Sequence, residues 1–148
     1  MDIEGSSYKA SVEPEMKAHL EWRSDLVFSA STQRGYDMDF DANIQMGCMP
    51  VEGVLLSLAG CMAIDVVAIL DKMRCRPDSF SMNIVGERSP TPPQRIKKVH
   101  MILHLTGDNL REHKVRRAVS LSEEKYCSVR HSLNDDIEIT TDIRINGA

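Results

Sequence analysis

Apolar and polar residues alternate in three short runs early in the chain, at residues 16–22, 26–32 and 36–42. Alternation with a period of two places the apolar side chains on one face of a β-strand. Turn-forming residues separate the runs, at Arg23–Asp25 and at Gln33–Gly35. The pattern therefore predicts a small antiparallel meander at the start of the chain.

A long apolar segment follows the meander and predicts a helix from about Pro50 to Met73. Pro50 suits the first turn, where the N–H that proline lacks has no partner within a helix. At 1.5 Å per residue the helix would be about 36 Å long. The longest uncharged run, Gly53–Ile64, has 12 residues and is too short to cross a bilayer. Because a chain of this size seldom buries such a helix alone, we expect a partner subunit to share its burial.

Strand-like alternation returns after the helix. The pattern predicts two long strands joined by a proline-rich loop, then a helix capped by Asp108 or Asn109, then a last strand. These elements cover residues 79–88, 95–107, 108–126 and 137–145. Runs of strands separated by single helices are typical of the α+β class, which we predict for this chain.

Composition and charge narrow the function. The chain has 18 Lys and Arg residues against 22 Asp and Glu residues, a net charge of −4, and no basic stripe, so a nucleic acid is not an expected partner. The acidic, polar start lacks the basic and apolar regions of a secretory signal, and we expect a cytoplasmic protein. Residues 1–15 predict a flexible arm, and residues 16–148 a single domain.

Cys61 lies among small and aliphatic residues of the predicted helix and has two interpretations. A free cysteine is often a small buried residue, so core packing explains it without any chemistry. Asp65, four residues on, shares its helix face, so the surroundings of the thiol are not wholly apolar. Because a carboxylate disfavours a thiolate, a reactive Cys61 would need a cation from elsewhere in the fold.

The other thiols have different settings. Cys127 lies near Arg130 and His131 at a helix junction; a positive neighbourhood favours a thiolate, although both residues are equally compatible with a solvated helix end. Cys48 and Cys75 flank the long helix too far apart to pair within one chain. The sequence has no close cysteine pair, and His100 and His104, although at a spacing that zinc ligands adopt, fall in a predicted strand, so no metal site is predicted.

Two blocks of sequence resemble a known family. They are "MPVEGVLLSLAGCMAIDVVAILDKMR" and "LSEEKYCSVRHSL", whose cysteines are 66 residues apart. Together with the terminal strand they resemble the OsmC/Ohr family of osmotically induced and organic-hydroperoxide-resistance proteins, in particular its YhfA-like branch. The resemblance extends from Trp22 to nearly the end of the chain. It implies an intertwined α+β homodimer with antiparallel sheets around a long central helix.

The resemblance also implies a function. By similarity the protein would be a thiol-dependent peroxidase acting on organic hydroperoxides at the dimer interface. Cys61 would be the peroxidatic thiol and Cys127 the resolving thiol. A dithiol reductant, with a lipoylated protein as the family's example, would reduce the resulting disulfide. The resemblance implies no cofactor and no metal.

Members of this family hold the reactive thiol with a glutamate and an arginine. Glu52 resembles the glutamate, but it lies on the other side of the helix from Cys61, so it would serve a thiol only across a dimer. Its alternative role is that of a first-turn acid matched to the helix dipole. Arg34 is the candidate arginine, with Arg130 as the alternative.

A second hypothesis belongs to another class of function. The same fold would serve as a non-enzymatic protein that binds a small apolar or acyl ligand, with the thiols lining its cleft. A stress-associated dimer whose cysteines are simply core residues is the remaining alternative. A measurement of thiol reactivity distinguishes both alternatives from the peroxidase, because only the peroxidase requires a reactive cysteine.

Overall fold

The computed structural model describes residues 13–148, so most of the predicted arm over residues 1–15 lies outside the described residues. The chain separates into two compact units, one ending at Gly53 and the other comprising Val54–Ala148. The prediction of one domain over residues 16–148 stays a prediction. The first unit contributes a small sheet, and the second contains the residues of the candidate site.

The first unit is a meander of three antiparallel strands in the order β1–β2–β3. The strands are β1 (Ala18–Ser24), β2 (Val27–Thr32) and β3 (Asp37–Asp41). All three occur where the alternating runs predict them. Gly35 has a φ of +85° in the turn before β3, a backbone conformation that glycine adopts without strain.

The loop after β3 is organised by one buried carboxylate, Asp41. Its oxygens accept hydrogen bonds from the backbone N–H groups of Asn43, Gln45 and Met46 at 2.8, 3.1 and 2.9 Å. Those N–H groups, Asn43 first, hold the pKa of Asp41 below its usual value. The carboxylate therefore fixes the chain shortly before the long helix begins.

The long helix, α1 (Pro50–Lys72), ends one residue before the predicted boundary. Residues three and four apart on α1 form a fully buried stripe. Its apolar members are Leu58, Met62, Val66, Ile69 and Leu70. By contrast, Leu56 and Ile64 are 60% and 59% exposed in the single chain. The helix is thus apolar on more sides than this chain covers.

By length and composition α1 could span a membrane, since its most apolar stretch has a mean hydropathy of 2.3. The central helix of a protein that never enters a bilayer passes the same test, and 33% of that stretch is buried inside this chain. The test is therefore weak support for a membrane span. The expectation of no membrane stays a prediction.

The second unit contains a mixed sheet in the order β4–β5–β6. Its strands are β4 (Ser79–Arg88), β5 (Ile96–Thr106) and β6 (Glu138–Ile145). β4 and β5 form the predicted hairpin, whereas β6 runs parallel to β5. The expectation of antiparallel sheets therefore holds for the first sheet and for the β4–β5 pair, but not for β6, because the long helical connection after β5 returns the chain in the same direction.

Helix α1 packs on this sheet so closely that a side chain at Gly86 would displace the end of Leu55. A Cβ at Gly86 of β4 would lie 2.9 Å from Cδ2 of Leu55. On β5, alternate side chains are buried, as a strand with one covered face requires. These are Val99, Met101, Leu103 and Leu105.

The connection from β5 to β6 differs from the predicted single helix. Asp108 and Asn109 do not cap it: helix α2 (Glu112–Leu121) begins later, after Arg111, because residues 107–110 form a turn closed by the Leu110 N–H and the Gly107 carbonyl. A π turn, Ser122–Tyr126, follows directly, and the short helix α3 (Ser128–Ser132) completes the connection. With a long helix and two sheets, the predicted α+β class is confirmed.

Candidate functional site

The candidate site begins with two residues on one face of α1. Cys61 and Asp65 are four residues apart, so the helix places their side chains side by side. Asp65 is fully buried, whereas Cys61 is half-buried. A carboxylate taken completely out of water is costly unless polar groups surround it, and such carboxylates are concentrated at functional sites.

Ser122 supplies one of those polar groups. Its hydroxyl donates a hydrogen bond of 2.8 Å to Oδ2 of Asp65, and both side chains are buried. The two residues are 57 positions apart in the chain, so the bond joins α1 to the start of the π turn. It is a fixed connection between the two segments that carry the site.

The π turn then places Cys127. Its backbone N–H donates to the Ser122 carbonyl at 2.8 Å, the five-residue hydrogen bond that defines this kind of turn. Cys127 is the residue before α3, and its Sγ accepts a hydrogen bond from the Arg130 backbone N–H at 3.4 Å. The thiol is therefore held at a defined position and is fully buried.

These contacts bring Cys61, Asp65 and Cys127 together. One sulfur or carboxylate oxygen from each lies within 4.8 Å of the others. All four cysteines of the chain are free thiols. A disulfide needs the two sulfurs to approach to about 2.05 Å, which side-chain rotation can supply when the starting separation is this small. Two facing thiols beside a carboxylate can exchange protons and can be oxidised to a disulfide.

The electrostatics of the site separate the two thiols. Burial raises the pKa of the Cys127 thiol to about 11; the Cys61 thiol and the Asp65 carboxylate raise it too, while the Arg130 N–H acts against them. At pH 7 only on the order of one Cys127 in 10⁴ is then a thiolate. At rest, Cys127 is therefore a protonated thiol and not a nucleophilic thiolate.

The remaining cysteines are placed differently. Cys75 is buried, and its thiol donates to the Asn109 carbonyl at 3.1 Å. Cys48 belongs to the first unit, where its sulfur makes a long contact of 3.9 Å with the Asp39 carbonyl. Neither belongs to the cluster around Asp65.

Glu52 has a structural contact of its own. Its Oε1 accepts the backbone N–H of Met49 at 2.8 Å, as an acid in the first turn of a helix does when it reaches back to the residue before the helix. This contact is the one expected if Glu52 is an acid that stabilises the first turn of the helix. A role for Glu52 near a thiol stays a prediction.

The two candidate arginines also have identified neighbours. Arg34 lies in the first unit and forms an exposed ion pair of 3.8 Å with Glu13. Arg130 contacts Cys127 through its backbone, and its charge acts on Glu123. Burial, with Glu124, raises the pKa of Glu123 against the opposing effects of the Thr141 hydroxyl and the Arg130 guanidinium.

The sequence interpretation did not assign a role to Asp65 or notice Ser122. A carboxylate one helical turn from Cys61 in an otherwise apolar helix was the available signal for Asp65. Ser122 had no such signal, because only the π turn directs its hydroxyl at a residue 57 positions earlier.

Comparisons with known proteins agree on one family. Residues 41–142 match the sequence profile of OsmC-like proteins. Protein YhfA of Escherichia coli K12 is 35% identical over 126 residues, which cover 84% of this chain and 94% of YhfA. A crystal structure of a hypothetical protein from Aquifex aeolicus is 25% identical with a TM-score of 0.79, covering 90% of this chain and 99% of that one.

A more distant structure shares the fold. The organic hydroperoxide resistance protein OsmC from Legionella pneumophila has a TM-score of 0.67 at 14% identity, covering 90% of this chain and 99% of its own. At this identity the likeness shows the fold alone.

The geometry predicts a clear order of thiol reactivity. In the reduced, folded protein at pH 7, we expect iodoacetamide to alkylate Cys61 well before Cys127 or Cys75, because both of those thiols are buried. Labelling of Cys127 should increase as the pH rises towards about 11, where its thiolate forms. Peptide mass spectrometry resolves each site, and the Cys48→Ser variant removes the other half-buried thiol. Equal alkylation rates for Cys61 and Cys127 in the folded protein at pH 7 would contradict this placement. In the urea-unfolded control, all cysteines should be labelled equally.

Proposed function

Because the chain belongs to the family of OsmC-like proteins, we propose that it is a thiol-dependent peroxidase that reduces organic hydroperoxides. The observation that carries the proposal is the approach of the Cys61 and Cys127 thiols beside the Asp65 carboxylate. The name of the Legionella relative, an organic hydroperoxide resistance protein, supports the substrate class. The half-buried Cys61 is the thiol that a peroxide reaches first.

The reaction has two steps on these residues. The Cys61 thiol releases its proton, and the thiolate attacks the terminal oxygen of the hydroperoxide. The O–O bond breaks, Cys61 becomes a sulfenic acid, and the departing alkoxide takes up the released proton to leave as the alcohol. The Cys127 sulfur then attacks the Cys61 sulfur, and a disulfide forms with loss of water. A dithiol reductant, for which a lipoylated protein is our candidate, returns both residues to thiols.

The second step has a proton to move, and Asp65 is the group placed to move it. Cys127 is protonated at neutral pH because burial raises its pKa to about 11. We assign to the Asp65 carboxylate the transfer of that proton to the departing sulfenic oxygen, which leaves as water. The Ser122 hydroxyl holds the carboxylate in position for this transfer through the 2.8 Å hydrogen bond.

The active form in this proposal is a cytoplasmic homodimer. Leu56 and Ile64 are more than half exposed on the single chain, on the helix that carries Cys61. A second copy covering this surface would bury apolar area that otherwise faces water. In such a dimer Glu52 and Arg34 would come from the partner's side to stabilise the Cys61 thiolate.

The first test measures peroxide consumption. Stopped-flow assays with cumene hydroperoxide should show rapid consumption by the reduced protein and only the background rate for Cys61→Ser, because the attacking sulfur is gone. One equivalent of peroxide should produce a Cys61–Cys127 disulfide within one chain, seen by peptide mapping, with Cys48 and Cys75 still free. Equal rates for the two proteins would reject the peroxidase and leave the ligand-binding alternative.

The second test isolates the role of Asp65. In Asp65→Asn, formation of the disulfide should slow by about 100-fold or more, because the proton acceptor is lost. The sulfenic acid should then accumulate and be trapped by dimedone. The slow step should recover as the pH rises, since hydroxide replaces the carboxylate. A pH-independent defect in a variant whose circular dichroism is unchanged would indicate a purely structural role.

The third test separates the two roles of Glu52. Glu52→Gln keeps an oxygen to accept the Met49 N–H but loses the charge, whereas Glu52→Ala loses both. We expect the free energy of unfolding to fall by about 1 kcal/mol in Glu52→Ala only, and the rate of peroxide consumption to fall in both variants. Wild-type activity in Glu52→Gln would restrict Glu52 to capping the helix.

A further inference from the structure

The cluster that serves the redox proposal is also a set of metal donors. Two sulfurs and one carboxylate oxygen, from Cys61, Cys127 and Asp65, lie within 4.8 Å of one another. Tetrahedral zinc bound by sulfur at 2.3 Å and oxygen at 2.0 Å separates its ligand atoms by about 3.5 to 3.8 Å. The observed cluster therefore needs a contraction of no more than about 1.3 Å to reach this geometry, which is within the range of side-chain rotation.

The chemistry of the donors selects the ion. Calcium and magnesium take shells of oxygen ligands, whereas thiolate sulfur favours softer cations such as zinc. Cys61 and Asp65 share a helix face one turn apart, so the helix itself presents two of the three ligands. The third arrives from the π turn 66 positions after Cys61. Three protein ligands leave a fourth zinc position for water or an exogenous ligand.

The groups around the donors hold them as a metal site requires. The Ser122 hydroxyl binds Oδ2 of Asp65 at 2.8 Å and orients the carboxylate. The Arg130 backbone N–H binds the Cys127 sulfur at 3.4 Å and favours its thiolate. Hydrogen bonds from neighbouring groups to the metal ligands orient those ligands and contribute to metal affinity.

We propose that the reduced Cys61–Asp65–Cys127 cluster binds one zinc ion per chain. Binding converts two thiols to thiolates and releases their protons, and no electron is transferred. An oxidised Cys61–Cys127 disulfide offers no thiolate, so only the reduced protein binds the ion. If the proposed peroxidase is correct, zinc also withholds both thiols from peroxide; the binding itself does not depend on that activity.

The test is a competition titration of the reduced full-length protein against a chromophoric zinc chelator, without peroxide. We expect one zinc per chain, and an affinity that rises at least about tenfold per pH unit near neutrality, because the Cys127 proton must leave. Cys61→Ser, Cys127→Ser and Asp65→Asn should each lose the tight site. Ser122→Ala should weaken it by about tenfold, because the carboxylate loses its orienting contact.

The matched control is the double variant Cys48→Ser, Cys75→Ser, which keeps the cluster and should bind zinc as the wild type does. With Co²⁺ as a spectroscopic substitute, a sulfur-to-cobalt charge-transfer band should appear and should weaken when either cluster thiol is removed. Zinc should also protect Cys61 from iodoacetamide. Tight binding that survives Cys127→Ser, or that is lost in the Cys48, Cys75 control, would overturn the site. Because peroxide consumption is measured separately in metal-free buffer, either proposal can fail while the other stands.

Discussion

The hydrogen bond from Ser122 to Asp65 is the contact on which the candidate site depends. It joins the buried face of α1 to the π turn, two segments that are far apart in the chain. The same π turn sets the position of Cys127 through the Ser122 carbonyl. The local structure of either segment alone does not direct the Cys127 sulfur at Cys61. The hydrogen bond that offsets part of the cost of burying the Asp65 carboxylate thus also joins the two segments of the site.

The site has to keep the Cys127 thiol protonated at rest and yet allow its proton to be removed for reaction. Burial protects Cys127 from solvent and raises its pKa, so its thiol is stable and unreactive at rest. A reaction that uses this thiol must therefore remove its proton locally, and the buried carboxylate is the group beside it. The same carboxylate and the two sulfurs form a donor set for zinc. Oxidation and metal binding exclude each other here because both use the same sulfur lone pairs.

The fold was largely predictable because its elements are strongly patterned. The alternating runs and the apolar helix predicted the six strands of residues 13–148, and α1, to within about two residues. The connection after β5 was not predictable in the same way. Asp108 and Asn109 are good helix caps by type, yet a turn at Gly107–Leu110 delays the helix to Glu112. The parallel pairing of β6 follows from how that connection crosses the sheet, which a local pattern does not encode.

The sequence by itself determined the α+β class and the apolar helix, since periodicity and residue type are local properties, and its resemblance to a known family made Cys61 and Cys127 the candidate thiols. Only the tertiary structure decided that these thiols meet, that Ser122 holds Asp65 beside them, and that Cys75 lies elsewhere, bonded to the Asn109 carbonyl. Such contacts depend on how distant segments pack. The five-residue π turn, which ends with the hydrogen bond from the Cys127 N–H to the Ser122 carbonyl, and the Arg130 N–H together place the Cys127 sulfur.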